Sequence, residues 1–271
     1  MPKITEKDYY LPEIVALTKI KDLTSGSTLP ILVIGVSKKS GNTDLYVVKL
    51  VGGERMSPRA CCSELIASFL AMHLEMNIPD PAIIEITQDF VNSVDGPNKE
   101  LVKKSIGKNF GSKYIAGHLT LLNPFKLTPG QYARAVRIFS FDIFISNSDR
   151  RVDKQNMLVN GDDIVIIDHE MAFGFILELF YNNPTPWKLR PQDDFWIKNH
   201  YFYKSLLGKE HNFDDFVDKL STLDEIFWNK LCQLIPDEWR GNHVDQIKNN
   251  LSLLVQNKTE FKAELKRILS C

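Results

Sequence analysis

Cysteine, clustered histidine, long apolar runs and net charge are all scarce in this chain, and each scarcity removes a class of function. The four cysteines are Cys61, Cys62, Cys232 and Cys271, and an adjacent pair with two distant singles cannot form the paired knuckles of a zinc site. They are expected to be reduced thiols, with Cys61 and Cys62 as small residues near the start of a packed helix. Six histidines form no HExxH or other ligand cluster, so a structural zinc is not expected. No uncharged apolar span approaches bilayer length, and the opening MPKITEKDYY has no apolar signal core. The expected location is the cytoplasm, with no membrane association. A net charge of −1 supplies no global electrostatic reason to bind nucleic acid directly. Internal repeats and low-complexity stretches are missing too. What is present is an ordinary globular composition, 44% apolar and 25% charged, in 271 residues, enough for a sizeable core in one or two lobes.

The informative stretch is residues 139 to 175, FSFDIFISNSDRRVDKQNMLVNGDDIVIIDHEMAFGF. It carries Asp149, Asn156 and Asp168 in that order, the last closing an apolar run. Phosphoryl transfer asks for a carboxylate to position and deprotonate an acceptor, hard oxygen ligands for magnesium, and a cation for the phosphates. Asp149 suits the first task, and Asn156 with Asp168 the second. Ile143 to Ile145 is apolar before the loop, and Met157 to Val159 and Ile164 to Ile167 are apolar after it. Gly161-Asp162-Asp163 between the later runs is turn chemistry, so the stretch reads as helix, loop and hairpin. Asp168, at the exit of the second strand, is expected to be held by β-structure. Singly, Asp149 reads as a loop residue beside two arginines and Asp168 as a strand-end cap; together with Asn156 they read as a site.

Upstream, Leu45 to Leu50 is a β-type run containing Lys49, and a lone lysine in such a run most often faces solvent. Fifteen positions later Glu64 lies in the first turn of the helical run 61–71. A strand lysine followed by an early-helix glutamate is the ion pair that fixes the lysine on the α and β phosphates in kinase-type folds.

Tyr46-Val-Val-Lys49, Ser63-Glu64-Leu-Ile-Ala-Ser68, Ile78-Pro-Asp-Pro-Ala82, Asn147-Ser-Asp149-Arg-Arg151 with Asn156, Ile167-Asp168-His169 and Ile235-Pro-Asp-Glu-Trp239 together resemble the HipA-like kinases, in their compact branch, over most of the chain. The resemblance implies an α+β, two-lobed protein-kinase-like fold, with a small antiparallel-sheet lobe plus helix over residues 1–124 and a mostly α-helical lobe over 125–271. It also implies ATP with Mg2+ and Ser/Thr phosphotransfer. In that match Asp149 is the base, Asn156 and Asp168 are the metal ligands, and Lys49, braced by Glu64, is the phosphate lysine. One departure stands out: base and asparagine are five positions apart in protein kinases, whereas Asp149 and Asn156 are seven apart. The loop has to bulge, and Asp153 competes with Asp149 for the role of base. No histidine precedes Asp149 to anchor the loop.

Elsewhere the punctuation is uneven. Residues 12–20 are weakly periodic, and Leu29 to Val36 is β-rich and runs through a turn at 37–42 into the lysine strand. That turn has one internal glycine and two lysines, so it either grips phosphate by charge or is a plain hairpin tip. Asn77 to Pro81 breaks the helix, and Ala82 to Ile86 is expected to complete the small-lobe sheet. Residues 89–127 are the least legible; the glycine-punctuated 106–114 reads first as a connector, with nucleotide contact or a regulatory phosphorylation at Ser112 as the other readings. Thr128-Pro129 caps a helix that delivers the loop, and Asp142 on it is expected to hydrogen-bond to the loop. Arg150 and Arg151 read as solvated loop arginines. The amphipathic tail 245–269 reads as core packing.

On these grounds a protein acceptor is expected, with an antitoxin or regulatory protein as a partner and a toxin-like role open. Ile167-Asp168-His169-Glu170 also looks like the metal strand of choline and aminoglycoside phosphotransferases, which keeps a small-molecule kinase as the second reading. A catalytically silent, kinase-shaped nucleotide-binding module is the third, motivated by the long gap in the loop.

Overall fold

In the computed structural model, residues 3–23, 28–117, 122–179 and 181–270 are described; Cys271 falls outside them. The first half builds β1 (Glu13–Asp22), β2 (Ile31–Ser37), β3 (Thr43–Lys49), α1 (Pro58–His73), β4 (Pro81–Ile86), α2 (Gln88–Ser93), α3 (Lys99–Lys104) and β5 (Gly107–Lys113). The second half builds α4 (Pro129–Phe144), the hairpin strands β6 (Met157–Asn160) and β7 (Asp163–Ile166), then α5 (Asp194–Lys198), α6 (Tyr203–Leu206), α7 (Asp214–Leu220), α8 (Glu225–Leu234), α9 (Asn242–Gln256) and α10 (Lys258–Leu269).

The first-half strands form a closed barrel in the order β1-β2-β3-β5-β4. This corrects two expectations. The segment 106–114 is no connector: β5 pairs with β3, Lys49 opposite Phe110, and with β4, Ile84 opposite Asn109. Nor is the sheet wholly antiparallel, because β4 closes onto β1 in parallel, from Glu13–Ile83 to Val15–Glu85. A parallel pair needs a long crossover, and the chain between β1 and β4, which includes α1, provides one. Gly111 is what the close packing of β5 requires: an added Cβ would lie 2.4 Å from Ile84 Cγ1 and 2.9 Å from the Val47 carbonyl. Strand alternation turns Tyr46 and Val48 into the barrel core with Ile14, Ile31, Val33 and Ile84. The same alternation leaves Val47 and Lys49 on the cleft wall.

A second core joins α1 to the helical half. α1 starts at Pro58, capped by the Ser57 side chain on the Ala60 amide, so Glu64 lies in the second turn and not the first. Every residue from Ala60 to His73 is buried, which explains why this helix shows no strong polar face. His73, at its end, lies 4.6 Å from the Phe227 ring and meets the Thr222 carbonyl at 3.0 Å. Burial lowers the pKa of this imidazole. The folded protein keeps it neutral while the unfolded chain takes up a proton below about pH 6.5. Stability is therefore complete above that pH and declines as pH falls through it, by at most about 1.4 kcal/mol per unit. Urea midpoints between pH 8 and 5.5 should fall more steeply for the wild type than for His73→Gln; parallel profiles would contradict this.

α4 opens with a reciprocal capping box between Thr128 and Gln131, and its last turn aims the following loop back toward the barrel. The hairpin that follows turns at Gly161, φ 57°, and docks on the barrel side through the Ile166 amide on the Asn77 carbonyl at 2.9 Å. The tail forms two helices, α9 and α10, divided at Asn257; Ile247, Leu251 and Leu254 enter the core, as do Phe261 and Leu265. The boundary expected between residues 124 and 125 falls in the coil before α4. Among the described residues no helix is long and apolar enough to cross a membrane.

Candidate active site

Between barrel and helical half lies a cavity of about 480 Å³. Val47, Ile78, Phe110, Met157, Leu158 and Ile167 give it apolar walls, and Lys49, Glu64, Lys154, Asn156 and Asp168 lie on its polar side. Lys49, the last residue of β3, meets three carboxylates: Glu64 of α1, Asp168, and Glu170 at 2.7 Å. Burial alone would lower the Lys49 ammonium, but Glu64, Asp168 and Glu170 outweigh it and hold its pKa well above the ordinary lysine value. Glu64 has a second task, accepting the His169 amide at 2.9 Å, which ties the segment after Asp168 to α1.

Asp168 is not held by the sheet, as had been expected from the apolar run. β7 ends at Ile166, and Asp168 follows in the left-handed region at φ 66°, as does Asn156 at φ 47°. Asp and Asn tolerate this conformation better than other residues with a Cβ. The two segments are laced together by the Ile167 amide on the Asn156 carbonyl at 3.1 Å. Burial would raise the Asp168 pKa; Lys49 first, then Glu170 and Lys154, hold it well below the usual carboxylate range. Burial, with a hydrogen bond to Asp168, pushes the neighbouring Glu170 up to about 8.

The long gap in the loop is absorbed locally. Arg151 and Lys154 pair their backbones, at 2.9 and 3.0 Å, around a turn with Val152 and Asp153 at its tip. The extra residues therefore project outward, and Asp149 stays beside Asn156, whose side-chain amide donates to the Asp149 carbonyl at 3.2 Å and to Oδ2 at 3.3 Å. Asp149 is 14% exposed, whereas Asp153 is 73% exposed and paired with Arg151 at 3.1 Å. Of the two competitors, only Asp149 contacts residues that line the cavity, Asn156 and Lys154.

The loop is anchored without a preceding histidine. Arg150, read from the sequence as solvated, is fully buried. Its guanidinium grips Asp142 of α4 at 2.6 and 3.3 Å, the Asn156 carbonyl, and His169 Nε2 at 3.1 Å. Asp142 also accepts from Asn147 at 2.7 Å and meets His200 at 3.0 Å. Burial would raise Asp142, but Arg150 and then His200 hold its carboxyl far below the carboxylate range. Burial and the adjacent Arg150 push His169 down to about 3, so it is neutral. Arg151 is exposed, as the sequence suggested.

Lys49, Glu64, Asn156 and Asp168 thus line one cavity, Asp149 lies against Asn156 at its edge, and two further residues join them. Lys154 Nζ lies 2.5 Å from Asp149 Oδ2 and 2.9 Å from Asp168 Oδ2. Its sequence signal was a cation inside the loop. Glu170, named only within the small-molecule motif, is a ligand of Lys49. Around Lys49 the carboxyl groups cluster, and one oxygen each of Glu64, Asp168 and Glu170 lies within 4.8 Å of the others. Clustered hard oxygen donors of this kind fit Mg2+. Asn156 uses its side-chain N–H on Asp149, which leaves its side-chain oxygen available as a ligand.

A family model described as HipA-like kinase matches residues 20–268. No curated protein matches the chain. Among solved structures, the PAN3 pseudokinase of Neurospora crassa is 13% identical with a TM-score of 0.35, over 95% of this chain and 64% of that one. The MAP kinase LmaMPK10 of Leishmania major is 13% identical with a TM-score of 0.32, over 92% and 81%. The chain thus spans less than two thirds of the pseudokinase's length.

Proposed function

The chain belongs to the HipA-like kinase family, and on that premise we propose that it transfers the γ-phosphoryl group of ATP to a Ser or Thr hydroxyl of a protein. The observation that carries this reading is the meeting of Lys49, Glu64, Asn156 and Asp168 at one cavity, with Asp149 hydrogen-bonded to Asn156 at its edge. The apolar walls receive the adenine, and Lys49, braced by Glu64, neutralises the α and β phosphates. Asn156 and Asp168 would hold Mg2+, which when bound would offset the charge of the phosphates. Asp149 orients the acceptor hydroxyl and takes its proton. As the acceptor oxygen bonds to the γ-phosphorus, the bond from that phosphorus to the β-bridging oxygen breaks, and ADP departs with the electron pair.

The half-buried position of Asp149 and the solvent-facing position of Asp153 supply the test. With labelled ATP and the whole protein, Asp149→Ala should lower phosphate transfer about 10²- to 10⁴-fold, while Asp153→Ala stays within about twofold of the wild type. The reverse order would move the base to Asp153, and label appearing in a small metabolite in place of a protein would select the small-molecule reading.

A further inference from the structure

Asp168 has an ammonium group on each of its oxygens: Lys49 on Oδ1, and Lys154 on Oδ2 at 2.9 Å. A carboxylate that also serves a divalent cation must release one of them. The two lysines differ in how firmly they are held. Lys49 is 11% exposed and clasped by three carboxylates from separate parts of the chain. Lys154 is 22% exposed and has two carboxylate partners, Asp149 and Asp168. Its backbone is pinned by the paired turn with Arg151, so its ammonium can leave Asp168 while its Cα stays in place. Its other partner is Asp149, the group beside which the acceptor oxygen and the γ-phosphorus would meet.

We infer that Lys154 is a further catalytic residue: it yields the Asp168 oxygen to the divalent cation and places its ammonium on the transferring phosphoryl group. The inference rests on the kinase reading given above. Lys154 then performs two linked tasks. Before loading it neutralises Asp149 and Asp168, which otherwise repel each other across the cleft. In the transfer step it balances charge on the equatorial oxygens of the γ-phosphoryl while Asp149 receives the acceptor's proton, a task for a fixed cation in a water-poor site. The position of Lys154, on the inner arm of the turn that absorbs the extra loop residues, gives that turn a purpose.

The experiment uses the full chain with Lys154→Met, and Lys154→Gln alongside it as a polar, uncharged control for folding. Mn2+ binding in the presence of a non-hydrolysable ATP analogue is measured by electron paramagnetic resonance, and transfer is measured with labelled ATP. Both variants should lower kcat about 10²- to 10³-fold, leave KM for ATP within about threefold, and bind Mn2+ at least about fivefold more tightly, because the competing cation is gone. A lysine that merely held Asp149 and Asp168 in place would give weaker metal binding on removal. Unchanged kcat, or Mn2+ affinity that is unchanged or reduced, overturns the inference. A wild type that takes up neither nucleotide nor Mn2+ overturns the kinase reading itself, and that result is visible before any variant is compared.

Discussion

Asp168→Asn should reduce phosphoryl transfer at least about 10³-fold while leaving the melting temperature within a degree or two of the wild type. The carboxylate is contacted by both cleft ammonium groups, Lys49 and Lys154, and through a hydrogen bond by Glu170. An amide keeps the shape and one acceptor oxygen but supplies no charge for a divalent cation, whose transition-state contribution amounts to several kcal/mol. Asparagine is the informative substitution because the residue sits at φ 66°. Alanine would add a backbone penalty of about 1 kcal/mol there and mix a stability effect with a chemical one. The measurement is transfer from labelled ATP alongside a thermal melt. Wild-type turnover in Asp168→Asn would remove Asp168 from the metal-binding role.

Arg150→Met should destabilise the fold by about 3–5 kcal/mol, because it leaves the fully buried Asp142 carboxylate without its cation. For a chain of this size that corresponds to a fall in Tm of roughly 6–20 °C. Transfer activity should also fall in whatever protein remains folded, since the same guanidinium holds the Asn156 carbonyl and His169. The double variant Asp142→Asn/Arg150→Met isolates the cause: a neutral amide needs no counter-ion, so the double variant should be more stable than Arg150→Met alone. Additive losses would mean that Arg150 acts through its volume and not its charge.

The readable parts of this fold are those specified by local chemistry. Thr128-Pro129 names a helix start, Gly161-Asp162-Asp163 names a hairpin turn, and a lysine at the end of an apolar strand needs only strand alternation to reach the cleft. Because Asp149, Asn156 and Asp168 are separated by one loop and one hairpin, their proximity is also a local matter. β5 escaped notice because glycines are poor strand formers, and the place of Gly111 is set by Ile84 and Val47 of neighbouring strands. The parallel closure of β4 on β1 joins segments far apart in the chain and leaves no composition signal. The burial of Arg150 depends on Asp142, a residue on another element whose role becomes visible only when α4 and the loop are packed together. Lys154 lies in the same turn as Asp153, and nothing in sequence order says which of the two side chains points inward.

The helix bearing Glu64 has consequences for chemical inhibition. A helix with one free flank could be pushed aside by a compound wedged behind it. Here its surface from Ala60 to His73 is walled in on all sides, and displacing it would tear open the core that it shares with the helical half. Compounds that fill the cavity beside Lys49 are therefore the practical route, and resistance by loosening of this helix would come with loss of the fold.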